Sequence, residues 1–131
     1  DGASEIANLA KELRGKIAEI NLKKAGFRTD VVFYCVSAMR HFRGKTKEQV
    51  NRITLEIALL GRQGLDINDP DQKYTLKTMK GSFSGLQLFS FMYVGFRIID
   101  PTIDAGMDIS REYEEALRLF EQEKPHGYTL H

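Results

Sequence analysis

Apolar residues recur along this chain at three- and four-residue intervals, and those intervals predict helices. Ile6, Leu9, Ala10, Leu13, Ile17 and Ile20 share one side of a segment from Ser4 to about Lys24, while Lys11, Glu12, Lys16, Glu19 and Lys23 take the other. Gly26 stops that segment. Thr29-Asp30 offers an N-cap for a second helix reaching to about Arg43, where Gly44 ends it. The run Val31 to Val36 is apolar nearly all round and rich in valine, so a strand competes there. Val36, Met39 and Phe42 keep helical spacing beyond the run and decide for a helix. Thr46-Lys47-Glu48-Gln49 has the form of a capping box, in which the threonine and glutamine side chains satisfy each other's backbone amides. It opens a third helix with Val50, Ile53, Ile57 and Leu60 on one face, closed by Gly61 or Gly64.

An irregular polar stretch follows. Leu65-Asp66-Ile67-Asn68-Asp69-Pro70-Asp71 is an acid-rich turn, and Pro70 prevents any continuation of the helix. Tyr74 and Leu76 alternate with Thr75 and Lys77, which predicts a short extended segment. No partner strand is evident, so that segment is expected to lie across helices. Lys80-Gly81-Ser82-Phe83-Ser84-Gly85 forms a glycine-flanked loop leading into an almost wholly apolar helix, Leu86 to Ile99, ended by Asp100-Pro101. A helix apolar on most sides belongs inside a bundle. Asp108-Ile109-Ser110 caps a last helix with Tyr113, Ala116, Leu117 and Phe120 inward and Glu112, Glu114, Glu115 and Glu121 outward, ended by Pro125 and Gly127. The expected fold is all-α: one domain over 1–131, with about five helices around the buried helix 86–99 and a structured loop over 65–85.

Composition narrows the class. With 131 residues, 42% hydrophobic and 28% charged, the chain supports one packed core and is not a disordered segment. The apolar run 86–99 holds Gln87 and Arg97 and falls short of the roughly 20 residues a bilayer needs, so no membrane span is expected. A single cysteine, Cys35, lies in an apolar run and reads as a buried thiol, which favours a reducing, cytoplasmic setting. The chain begins Asp1-Gly2-Ala3, which points to part of a larger protein. Net charge is +1 but lopsided: twelve basic residues face seven acidic ones through Gly64, and seven face eleven after it. The two halves can attract each other, or serve self-association.

Candidate chemistry is sparse. His41, His126 and His131 are scattered, and the acid-rich turn lacks the glycine and glutamate of a calcium loop, so no metal or cofactor is expected. Asx turns explain Asp66 to Asp71 better. Gly81-Ser82-Phe83-Ser84-Gly85 is neither a nucleophile elbow nor a phosphate loop. Ser82, Ser84 and Gly85 nonetheless leave amides at the start of a buried helix, beside Lys80, where an anion could sit; the simpler reading is that a serine caps the helix.

Three function classes follow. The leading one is a non-catalytic protein-interaction or accessory domain, binding a protein partner or its own copy through the 65–85 loop. Its candidate contact residues are Asp66, Asn68, Tyr74, Leu76, Lys80, Ser82 and Ser84, with Lys73 and Lys77 on the rim. The second is a helix-turn-helix-like nucleic-acid domain, with Arg40, Arg43 and Lys45 on phosphates and Lys47, Asn51 and Arg52 towards the groove. Near-neutral charge fits that class poorly. The third is the C-terminal part of an enzyme, with its catalytic residues upstream and Asp66, Asn68 and Lys80 shaping the substrate site.

Overall fold

The computed structural model describes residues 27–102 and 109–129, with side chains in the last stretch as far as Glu123. Four helices and two short strands stand among them: α1 (Phe27–Phe42), α2 (Lys47–Gly64), β1 (Lys73–Tyr74), β2 (Phe83–Ser84), α3 (Gly85–Ile99) and α4 (Ser110–Thr129). The all-α class holds. The helix count is one fewer than the five expected, and the first of those five, over 4–24, lies outside the described residues.

The third and fourth predicted helices begin where their caps placed them. Thr46 accepts from the Gln49 amide at 3.1 Å while the Gln49 side chain accepts from the Thr46 amide at 2.9 Å, the reciprocal pair its sequence announces. Ser84 and Gln87 repeat the device at the start of α3. Helix rather than strand is also right for α1, but it begins at Phe27, so Thr29 and Asp30 lie in its first turn instead of capping it. Phe27 is buried and extends the helix's apolar side by one turn.

Helix α3 lies between α1 and α2, and α1 in turn packs against α4. Helix α3 also meets α4, where the Tyr93 and Tyr113 rings lie 5.5 Å apart and the Arg97 guanidinium lies 4.6 Å from the centre of the Tyr113 ring. Helices α2 and α3 run antiparallel: Thr54 abuts Gly95 near the middle, and Asp66, just past α2, abuts Gly85 at the start of α3. A β-carbon on Gly95 would overlap the Thr54 hydroxyl and lie 3.0 Å from its Cβ, so glycine sets how closely these helices approach. The Thr54 hydroxyl, fully buried, donates to the Val50 carbonyl at 2.8 Å.

Helices α1 and α4 run parallel. Arg28 pairs with Glu112 at 2.6 Å near their starts, and Arg40 pairs with Glu123 further along both. That register corrects the reading of Glu112 as an outer-face residue, because it is only 4% exposed. Ile109, Glu112, Ala116 and Phe120 recur at helical spacing and all point inward, so Glu112 occupies the buried stripe. A carboxylate in the first turn is favoured by the helix dipole, and Arg28 supplies a counter-charge. The last helix also continues past Pro125 to Thr129. Proline forfeits an amide donor there, yet its fixed φ is a helical one.

The extended segment does have a partner. Lys73 pairs with Ser84 and Tyr74 with Phe83 in an antiparallel two-stranded ribbon. The sequence hid this because the second strand is only two residues long and runs directly into a helix cap. Between the strands, Met79 is buried as part of the hydrophobic core.

Candidate functional site

The polar stretch after α2 is tied down residue by residue. Asp66 Oδ1 accepts from the Asn68 amide and Asp69 Oδ1 from the Asp71 amide, both at 2.9 Å, which are the Asx turns their sequence predicts. The Asp66 amide donates to the Tyr74 hydroxyl at 3.0 Å. The backbone at Asp66 and Ile67 then crosses directly over the start of α3. A β-carbon on Gly85 would overlap the Asp66 carbonyl oxygen, lie 2.7 Å from its carbonyl carbon and 3.1 Å from the Ile67 Cα.

This crossing makes a cleft of about 260 Å³ between α1, the 67–73 segment and the first turn of α3. Its apolar walls come from Phe27, Tyr34, Ile67, Pro70 and Leu86; Asp30, Asn68, Asp69, Lys73, Ser84 and Gln87 supply its polar groups. Those polar groups fall into two sets. Ser84 and Gln87 are occupied with each other in the capping box, and Asp69 holds its own turn. The side chains of Asp30, Tyr34, Asn68 and Lys73 have no hydrogen-bond or ion-pair partner among the described residues. Beside the cleft, Phe33 is 63% exposed. Its helical spacing from Asp30 puts it on the same ridge of α1.

The residues singled out from sequence therefore separate. Asn68 and Ser84 line the cleft, although Ser84 is there as a cap, as the simpler reading had it. Asp66 shapes it through its backbone contact with Gly85, and Tyr74 through the hydroxyl that accepts from the Asp66 amide. Leu76 is half-buried against the core, and Lys80 and Ser82 are exposed and outside the cleft lining. Tyr34 and Phe33 were missed because they sit in an apolar run that reads as core throughout, and Asp30 because it read as a helix cap. Only their angular position shows that they lie off the buried arc.

The basic set also divides. Arg40 is paired with Glu123, and the Arg43 guanidinium lies 5.5 Å from the centre of the Phe120 ring. Asn51 is half-buried with a buried, unpartnered Oδ1. Lys45 and Arg52 instead border a second groove of about 310 Å³, joined by Lys77, Gln49, Ile53 and Thr78. Lys47 is exposed at the start of α2. Glu56, another residue without a sequence signal, fixes the far wall of that groove. Its carboxylate accepts from the Lys77 amide at 2.7 Å and from the Thr78 amide and hydroxyl at 3.0 and 2.7 Å. Burial opposes its ionisation, but these bonds together with the nearby Lys77 charge hold its pKa below the ordinary glutamate value.

Cys35 is fully buried, and burial, with the Glu112 charge, pushes its thiol up to about 12 against a hydrogen bond with Ser90. Among the described residues no three His, Cys, Asp or Glu side chains converge as a metal site would require, and no helix is long and apolar enough to cross a membrane. No family model, curated protein or solved structure matches the chain.

Proposed function

We propose that this chain is a non-catalytic interaction domain of a larger cytoplasmic protein, and that it holds a protein partner, or a second copy of itself, at the cleft between α1 and the 67–73 segment. The observation that carries the reading is the set of unpartnered groups in that cleft. Asp30 and Tyr34 from α1 and Asn68 and Lys73 from the 67–73 segment are held around one opening, while the polar groups around them are already bonded. Such groups keep their hydrogen-bonding capacity for another molecule, and an exposed aromatic at the edge supplies apolar contact. Tyr74 and Leu76 serve this surface from beneath, by seating the loop. A single cysteine, with no second in this sequence to pair with, fits a reducing compartment.

The test uses the 131-residue chain as bait in an extract of its source, with quantitative mass spectrometry of what co-purifies and sedimentation to detect a second copy. A partner should be retained by the wild type, lost on Phe33→Ser or Asn68→Ala, and kept on Arg118→Ala. Phe33 and Asn68 are exposed, so these changes should leave the melting temperature unchanged. Equal retention by all three variants would contradict the reading.

A further inference from the structure

The second groove carries an inference independent of the first. The α1–α2 turn brings Lys45 to one wall, α2 brings Arg52, and the turn after β1 brings Lys77. Every charged residue lining the groove is cationic; the rest of its lining is Gln49, Ile53 and Thr78. Two carboxylates are close by, and both are already engaged. Glu48 pairs with Arg52 at 2.8 Å, and both oxygens of Glu56 are taken by Lys77 and Thr78. Neither lysine ammonium is in an ion pair among the described residues. The positive charge of Lys45 is felt at His41, which burial first and Lys45 second hold below the ordinary histidine value. Gln49, in the first turn of α2, also lines the groove, with its amide and its side-chain oxygen both held in the capping box.

We infer that this groove binds a small polyanion carrying phosphoryl groups, gripped by Lys45 and Lys77, with the Glu48-paired Arg52 beside them. Size and lining favour a small ligand over a nucleic acid. The groove holds about 310 Å³ and contains no aromatic ring on which a base could stack. Glu56 acts as a positioning residue, since it fixes the turn that presents Lys77 without facing the ligand. No bond is made or broken there; the groove is a binding site.

Titration calorimetry of the full chain with inorganic pyrophosphate at low ionic strength tests this. Saturable binding should weaken roughly fivefold on Lys45→Gln, and again on Lys77→Gln, as expected for removal of one charge contact each. Added salt should weaken it further, and Arg111→Gln, on the outer side of α4, should leave it unchanged. Absence of binding, or binding indifferent to both lysine changes, would overturn the assignment. So would tighter binding of a duplex oligonucleotide that needs the same lysines, because the groove would then belong to a nucleic-acid surface. Loss of the partner contact at Phe33 leaves this result untouched, so the two sites stand or fall separately.

Discussion

Gly85 and Asp66 touch backbone to backbone: a β-carbon on the glycine would overlap the aspartate's carbonyl oxygen. The contact seats the 65–73 segment on the start of α3, and the cleft exists because of it. Gly85 is needed here for closeness of approach, since its φ is not in the left-handed region.

Gly85→Ala should therefore displace the loop while leaving the helices in place. Overpacking of this kind costs about 1–3 kcal/mol. Far-ultraviolet circular dichroism should be unchanged, the melting temperature should fall, and amide exchange should rise over 66–71 in particular. Unaltered exchange in that segment would show that the loop is seated by other contacts.

The Gly95–Thr54 contact offers a double-mutant cycle. Gly95→Ala alone drives a methyl into the Thr54 side chain and should destabilise by about 1–3 kcal/mol. Combined with Thr54→Ala, which removes the overlapping hydroxyl, part of that loss should be recovered, with a coupling of about 1 kcal/mol. Simple additivity in urea melts would mean that α2 and α3 relax apart.

Glu56 links pH to stability. Its folded pKa is lowered, so its contribution is fully present above the unfolded glutamate value, about 4.3, and is lost as pH falls through the lower folded value. The stability difference between wild type and Glu56→Gln should be largest near neutrality and shrink below about pH 4. A difference constant from pH 7 to 3 would remove the carboxylate from any role in holding Lys77 and Thr78.

Cys35 should report on opening of the core. With its thiol pushed up to about 12, alkylation of the native chain at pH 8 should be slower than in urea by on the order of a thousandfold or more. Rapid native labelling would place the thiol at the surface.

Much of the architecture was legible because its signals are local. The start of α2 follows from the capping box at Thr46–Gln49 and that of α3 from a serine cap, each confined to a few consecutive residues, and the Asx turns at Asp66 and Asp69 are equally short-range. What escaped was set by contacts distant in sequence. Glu112 turns inward because α4 lies parallel to α1, with Arg28 as its partner 84 positions away. Glu56 reaches a turn 21 and 22 residues downstream. The candidate site shows the same division: Asn68 was visible in a polar loop, whereas Phe33 and Tyr34 were hidden in a run that reads as uniformly buried and Asp30 read only as a helix cap. The basic cluster around Arg40 divided because α4 took two of its arginines, which no local pattern announces.

Amide hydrogen exchange of the domain alone and bound to the partner that co-purifies with it should decide whether the cleft is the contact surface. Slowed exchange should map to the first turns of α1, over 27–37, and to 65–73, with α4 unaffected. Protection confined to α4, or to the far end of α2, with the cleft exchanging as in the free chain, would contradict the proposed function.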